Sequence, residues 1–311
     1  MRFLQTAASI VGTAALLGAC LALVLHFWPG ADRVTVAAAA LSPMLWLACT
    51  VTAVVCLLYV RALWRLALVA ALAMAGVWMQ APLWHGEPAP AGPALTVLTA
   101  NIQVGAGDTE ALAQLVRDNH VDVLAVLEVT DDAAQRISAS TIAIDLPHAL
   151  VRPAALANGT AIYSRHPLKN TGVVPGFVMT ALTGVATVPG RGDVQLFALH
   201  PMPPLDVDTW DSELGRIRAV LQGVPEGRPV VALGDYNATY DHVRFRNLLT
   251  GGYRDAGQLA GAGWLPTYPT DKTYPPVVGI DHILLRGLGA GEVTAHEIPG
   301  ADHRALLARV G

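Results

Sequence analysis

Pro229-Val230-Val231-Ala232-Leu233-Gly234-Asp235-Tyr236-Asn237-Ala238 decides how the chain is read. The apolar run 229–233 predicts a strand that ends at Gly234. Asp235 and Asn237, two residues apart in extended backbone, then project to one side at the sheet's edge. Taken alone, the stretch also reads as a turn closed by an Asx hydrogen bond. Its neighbours favour the first reading.

Four further strand candidates carry polar groups at or near an end. Asn101 follows 95–100, Glu128 follows 121–127, His200 follows 194–199, and Asp281 and His282 interrupt the run 279–285. A last pair, Asp302-His303, precedes Arg304-Ala305-Leu306-Leu307. Each has a bland reading as a turn former or loop residue. Their recurrence at strand ends is how a catalytic site is mounted on a scaffold.

Around them, short β-rich runs alternate with helical or loop segments. Strands are expected at 95–101, 121–129, 160–164, 178–188, 194–200, 230–233, 280–285 and 292–298. Helices are expected at 108–120, with Asp108 or Thr109 as cap, and at 207–221, where Trp210, Leu214, Ile217 and Leu221 recur at helical spacing. This pattern predicts one α+β domain over 95–311, with mixed sheets flanked by helices.

The ordered set Asn101, Glu128, His200, Asp235-Tyr236-Asn237-Ala238, Asp281 and Asp302-His303 resembles the endonuclease/exonuclease/phosphatase superfamily. The resemblance covers about residues 95–311 and implies a four-layer α/β/β/α sandwich of the deoxyribonuclease I-like kind. It implies Glu128 as the principal metal ligand, with Asn101 and Asp302 close to the metal or its waters. Asp235 would activate or orient the attacking water, and Asn237 would hold that water or a phosphate oxygen. His200 would bind phosphoryl oxygens, and His303, oriented by Asp281, would be the second catalytic histidine. The choice of base between Asp235 and His303 stays open. Members often have Gln before the metal-binding Glu and Ser before the terminal Asp-His, where this chain has Leu127 and Ala301. His282 has either a packing or a substrate role, and the loop with Thr267-Tyr268-Pro269 and Tyr274-Pro275-Pro276 either lines the cleft or packs against the domain.

Elementary chemistry agrees with this division of labour. A phosphoester is anionic and repels hydroxide, so a hard cation on carboxylate and amide oxygens neutralises developing charge. Oxygen ligands without cysteine favour Mg²⁺ or Mn²⁺. Imidazoles exchange protons near neutral pH.

The N-terminal part is of another kind. The chain has 311 residues, 53% hydrophobic and 14% charged, too apolar for a soluble domain alone. Residues 1–84 hold only Arg2, Arg33, Arg61, Arg65 and Asp32 as charges, and the runs 8–28, 34–60 and 66–84 contain none. Each is long enough to cross about 30 Å of hydrocarbon, so three transmembrane helices are expected. The first run is also readable as a cleavable signal peptide. Arg2 and the Arg61/Arg65 loop mark the cytoplasmic side. Three spans then place the C-terminal domain outside the cytoplasm of a multi-pass membrane protein. Residues 85–94, rich in Pro, Gly and Ala, read as a semi-stiff linker.

All three cysteines lie in the apolar runs, so the C-terminal domain has neither a disulfide framework nor a thiolate metal site. From His85 onward, 16 Lys and Arg face 23 Asp and Glu. That net negative charge counts against a surface built to hold long nucleic acid. The expected partners are the membrane and a phosphoester substrate: lipid headgroup, nucleotide or nucleic acid. No obligate protein partner is called for. A module that keeps the fold and binds phosphorylated ligands or protein without turnover is the alternative, and it would be expected to lack the metal Glu or a catalytic His.

Overall fold

The computed structural model describes residues 2–61, 63–88 and 94–311. Two compact units emerge. One comprises Met1–Pro82 together with Tyr240–Arg246; the other comprises Leu83–Thr239 and Asn247–Gly311.

In the first unit the apolar runs form α1 (Arg2–Phe27), α2 (Arg33–Ala40), α3 (Ser42–Tyr59) and α4 (Leu63–Gln80). The run 34–60, expected as one helix, is two. Asp32 caps α2 by accepting from the amides of Val34 and Thr35. Pro43 sits in the first turn of α3, where its missing N–H costs nothing but cannot continue the preceding ladder. Residues Arg2–Phe27, Ser42–Tyr59 and Trp64–Leu83 are long and apolar enough to cross a membrane. α1 and α3 approach closely at Gly18, where a Cβ would stand 2.6 Å from Cys49 Sγ, the small-residue contact that lets apolar helices meet.

The segment Tyr240–Arg246, expected within the C-terminal domain, belongs to this helical unit. Asp241 Oδ1 lies 2.8 Å from His26 Nδ1 and accepts from Gln80 Nε2 at 2.8 Å. His242 Nε2 is 2.9 Å from the Val36 carbonyl, Arg244 donates to the Pro29 carbonyl at 2.8 Å, and Arg246 donates to the His26 carbonyl. His26, Gln80, Asp241 and His242 are all buried.

The second unit contains two six-stranded sheets. The first runs β11 (Ala290–Glu297), β12 (Arg304–Val310), β1 (Leu95–Asn101), β2 (Val123–Leu127), β4 (Thr160–Ser164), β3 (His148–Arg152). The second runs β5 (Leu168–Val174), β6 (Ala181–Val188), β7 (Gly192–Leu199), β8 (Val230–Asp235), β10 (Asp281–Arg286), β9 (Arg254–Asp255). β1 pairs parallel to β2, and β7 parallel to β8; every other pairing is antiparallel.

Each central strand buries both faces, which is why its sequence reads as a continuous apolar run. Val97, Val123, Leu196, Leu233, Ile283 and Ala308 share the core between the sheets. Leu98, Leu124 and Val126 face outward into a second core with Leu112 and Val116 of α5 (Thr109–Asp118), Ile137 of α6 (Asp131–Ala139) and Ile142 of α7 (Ile142–Asp145). α8 (Val207–Gln222) buries Trp210, Leu214, Ile217 and Leu221. The short helix α10 (Ala256–Ala260) also belongs to this unit, whereas α9 (Val243–Arg246) lies in the segment assigned to the first. The second unit is the expected α/β/β/α sandwich.

Residues 89–93 of the expected linker lie outside the described residues. Its first part does not stand free: the Glu87 amide donates to the Leu259 carbonyl at 2.8 Å, and Arg254 pairs with Glu87.

Strand direction sorts the loops. β1, β2, β7 and β8 run toward Asn101, Leu127, Leu199 and Asp235, and their antiparallel partners β4, β6, β10 and β12 begin at that same end. One end of the sandwich therefore gathers the segments after residues 101, 127, 152, 174, 199 and 235 with those before 281 and 304.

Candidate active site

Asp235, the last residue of β8, lies at the centre of that end. Its backbone position is fixed by Gly234, where a Cβ would fall 1.9 Å from the Leu199 carbonyl oxygen; only glycine permits β7 and β8 to approach this closely. Asp235 Oδ1 accepts from the Asn237 amide at 2.8 Å. Its Oδ2 accepts from Asn101 Nδ2 at 3.2 Å and lies 3.5 Å from His200 Nε2 and 3.6 Å from His303 Nε2.

His303 is held from the other side. Its Nδ1 is 2.8 Å from Asp281 Oδ2, so the carboxylate orients the ring with Nε2 facing Asp235. The ring of Tyr268 lies against it, with centroids 4.8 Å apart and planes inclined by 43°. Asp281 follows from register, since it pairs directly opposite Asp235 across β10 and β8. Thr267 Oγ1 accepts from the Asp281 amide.

The electrostatics separate the groups. Burial by itself lowers the His303 pKa, but Asp281 and Asp235 outweigh it and raise it to about 10. Burial pushes the His200 pKa down, against the pull of Asp235, so this ring is neutral at pH 7. Burial pushes the Asp235 carboxyl up, with His303 opposing. A buried cation thus stands beside a carboxylate of raised basicity.

Across the site, Glu128 follows β2 with a left-handed backbone, φ 62°. Its Oε1 accepts from Asn101 Nδ2 at 3.0 Å and its Oε2 from the Val104 amide at 2.7 Å. Gln103 and Val104 also have positive φ. The turn that aims the Val104 N–H is strained, and strain of this kind is held by surrounding contacts. Asn101 Oδ1 accepts from the Gln103 amide.

Asn237, with φ 49°, donates from Nδ2 to the Pro201 carbonyl at 3.0 Å, and its own carbonyl accepts from Trp210 Nε1. It thereby ties the turn after β8 to the turn after His200. Asp302 Oδ1 is 4.0 Å from His303 Nε2. Burial raises the Asp302 pKa, and Glu128 is among the charges that add to the rise, so the two carboxylates sense each other.

The eight predicted residues thus converge on one cleft. Its sequence matches a known family over residues 98–303, described as the Endonuclease/Exonuclease/phosphatase family. The chain belongs to that family. No curated protein compared with it matches. Among solved structures, D. rerio TDP2 complexed with single strand DNA product has a TM-score of 0.60 at 16% identity, covering 71% of this chain and 100% of that one. An endonuclease/exonuclease/phosphatase from Beutenbergia cavernae DSM 12333 has a TM-score of 0.58 at 20% identity, covering 70% and 72%. A member from Bacteroides thetaiotaomicron has a TM-score of 0.56 at 15% identity, covering 70% and 98%. These likenesses establish the fold.

Endonuclease/Exonuclease/phosphatase proteins are phosphoester hydrolases that generally use a divalent metal. The donor chemistry here fits such an ion. Glu128, Asp235, Asp281 and Asp302 bring four carboxyl groups to the site, opposed by the His303 cation. Asp281 Oδ1 is buried with no hydrogen-bond partner among the described residues. Asp235, Asp281 and His303 offer donor atoms within 4.8 Å of one another, but the 2.8 Å Asp281–His303 contact is a hydrogen bond that already uses two of them. Glu128 and Asp302 add carboxylate oxygens of the kind a hard cation takes, while Asn101 Oδ1 accepts from the Gln103 amide.

Three features of this family member were left open by the sequence. Tyr268 was only one of several loop aromatics until its ring was seen against His303. Where members often carry Ser, Ala301 contributes its carbonyl to Thr270 Oγ1, while the Thr270 amide donates to the Asp302 carbonyl; these bonds hold the Asp302 turn without a serine hydroxyl. His282, adjacent to Asp281, points to the opposite side of β10. Its Nδ1 is 2.9 Å from Asp255 Oδ2 and its Nε2 2.9 Å from the Ala238 carbonyl, so it braces the turn after β8 from behind.

Proposed function

We propose that the protein is a Mg²⁺- or Mn²⁺-dependent hydrolase of phosphoesters, anchored by its N-terminal helices with the catalytic unit outside the cytoplasm. The observation that carries this reading is the placing of His303 between Asp281 and Asp235, with Asn101 Nδ2 joining Asp235 Oδ2 to Glu128 Oε1. A divalent ion held by Glu128, Asn101 and Asp302 would neutralise charge on the phosphoryl oxygens and lower the pKa of a bound water.

The protein's own groups supply the rest. At neutral pH His303 carries a proton on each nitrogen, so it serves as donor to a phosphoryl oxygen rather than as base. Asp235, made more basic by burial, accepts the proton of the attacking water through Oδ2. His200, neutral, donates from Nε2 toward the phosphoryl group, and Asn237 keeps the two turns in register. Asp281 holds His303 as a cation. Water adds to phosphorus, the ester oxygen leaves, and the products are an alcohol and the residual phosphate.

Full-length protein in lipid nanodiscs is expected to hydrolyse methyl p-nitrophenyl phosphate or p-nitrophenyl phosphate with added Mg²⁺ or Mn²⁺. EDTA should abolish the release of p-nitrophenolate. Unchanged release in EDTA, or none with either metal, contradicts the assignment.

A further inference from the structure

The loops at the catalytic end differ sharply across the cleft. Segments 102–108, 128–130, 153–159, 175–180, 200–206, 236–239, 266–280 and 298–303 together contain one Lys or Arg. That residue, Lys272, is paired with Asp271 at 2.7 Å. A groove that tracks a polynucleotide needs several cations along the backbone path. None of these loops provides that path.

Three of them, on the side of β3 to β7, are apolar instead. They read Pro153-Ala154-Ala155-Leu156-Ala157, Pro175-Gly176-Phe177-Val178-Met179 and Pro201-Met202-Pro203-Pro204-Leu205. Each presents a large side chain to solvent: Leu156 is 72% exposed, Val178 59% and Leu205 63%. The loops form one surface because they are laced together. The Thr180 amide donates to the Asn158 carbonyl at 3.0 Å. Buried Glu213 accepts from the Val178 amide at 2.7 Å and from the Met202 amide at 2.6 Å. The third loop begins at His200 itself, so this apolar surface adjoins the proposed phosphoryl position. Arg216 packs beside Gly176 and Arg152 ends β3 just before the first loop; two cations there suit a single charged headgroup better than a polyanion.

Exposed hydrophobic side chains gathered beside a reactive centre are a binding surface more often than an accident. We infer that the scissile phosphoester carries a hydrocarbon group, which lies across Leu156, Val178 and Leu205, and that the substrate is an amphiphile of the phospholipid kind rather than a nucleic acid. The inference rests on the hydrolase reading above and names its substrate class. The apolar helices in the same chain supply the setting, since amphiphiles concentrate at the bilayer that such helices enter.

The test uses full-length protein in nanodiscs and a series of alkyl p-nitrophenyl phosphates, from methyl to octyl, kept below their micellar concentrations. The leaving group is constant: water attacks phosphorus, p-nitrophenolate departs, and the alkyl phosphate remains. One methylene fully removed from water is worth about fourfold in binding, so even partial burial should raise kcat/KM by about tenfold or more from methyl to octyl. The triple variant Leu156→Ser, Val178→Ser, Leu205→Ser should flatten that dependence while leaving methyl ester turnover unchanged. Hydrolysis of phosphatidylglycerol in the disc assigns the hydrocarbon to bilayer lipid; turnover of the dissolved octyl ester alone assigns it to a soluble amphiphile, and either result upholds the inference. A flat series in the parent protein overturns it, as does a DNA or RNA oligonucleotide cleaved with higher kcat/KM than the octyl ester. Failure to turn over any ester strikes the hydrolase reading instead.

Discussion

His303 has a carboxylate at each ring nitrogen, with Asp281 Oδ2 2.8 Å from Nδ1 and Asp235 Oδ2 3.6 Å from Nε2, and in the proposed mechanism the two do different work. Asp281 keeps the ring charged; Asp235 shares the reacting face. Asp281→Asn retains the shape but removes the charge that raises the His303 pKa. Turnover should fall by about 10²–10⁴-fold, with the alkaline limb of the pH profile moving to lower pH. A full profile of kcat on a p-nitrophenyl ester checks this, and an unmoved alkaline limb would sink the assigned role.

In the parent protein the profile should be bell-shaped. Asp235 acts as carboxylate, so activity rises as pH climbs through its raised pKa. His303 acts as imidazolium, so activity is lost as pH rises through about 10. His200, held neutral by burial, adds no limb near neutrality. A single acidic limb with full activity at pH 11 would contradict the scheme.

Glu128→Gln should raise the Mg²⁺ concentration for half-maximal activity. The shift is expected to be at least as large as the roughly 10–100-fold lost when an outer partner of a metal ligand is removed. Metal titrations of activity, together with metal-dependent shifts in melting temperature, give two independent readings. Equal metal requirements in the two proteins would remove Glu128 from the ion's ligands.

Behind the site, His282→Phe leaves Asp255 without its buried imidazole partner and the Ala238 carbonyl without a donor. Removing one member of a buried pair costs about 3 kcal/mol, so the melting temperature should drop. Turnover should fall further than stability explains, because the turn bearing Asn237 loses its brace. Comparing kcat and the metal requirement separates the effects, since the latter should not change.

Gly234→Ala tests the close approach of β7 and β8. A Cβ 1.9 Å from the Leu199 carbonyl oxygen forces the strands apart where Asp235 and His200 must meet. Loss of activity with a lowered melting temperature is expected; a variant as stable and active as the parent would show that the strands have slack.

Legibility in the sequence followed burial. β1, β2, β4 and β8 could be read because interior strands with both faces covered leave unbroken apolar runs. β3 and β5 were not read: His148–Arg152 and Leu168–Val174 are edge strands that expose much of their length, although β11, also an edge, was read at 292–298. β12 hid behind the Asp302-His303 motif at its start. The site was legible as a set of strand ends, because chain order alone gives that. Its internal assignments needed distances, since which carboxylate grips His303 depends on the register of β8 against β10. The break at Leu41 did have a local signal, Pro43 in the first turn of α3, but the bonds of Asp241 to His26 and Gln80 left none, because they join residues far apart in the chain.

Only Ala238 and Thr239 separate Asn237 from the start of Tyr240–Arg246, the heptapeptide lodged among the helices. Cleavage anywhere in residues 85–94 would leave this heptapeptide on the C-terminal fragment, with Asp241, His242, Arg244 and Arg246 still matched to partners in the helices. The same holds over evolutionary time. A descendant that discarded its N-terminal helices would inherit four polar side chains shaped for absent partners and would have to rewrite them.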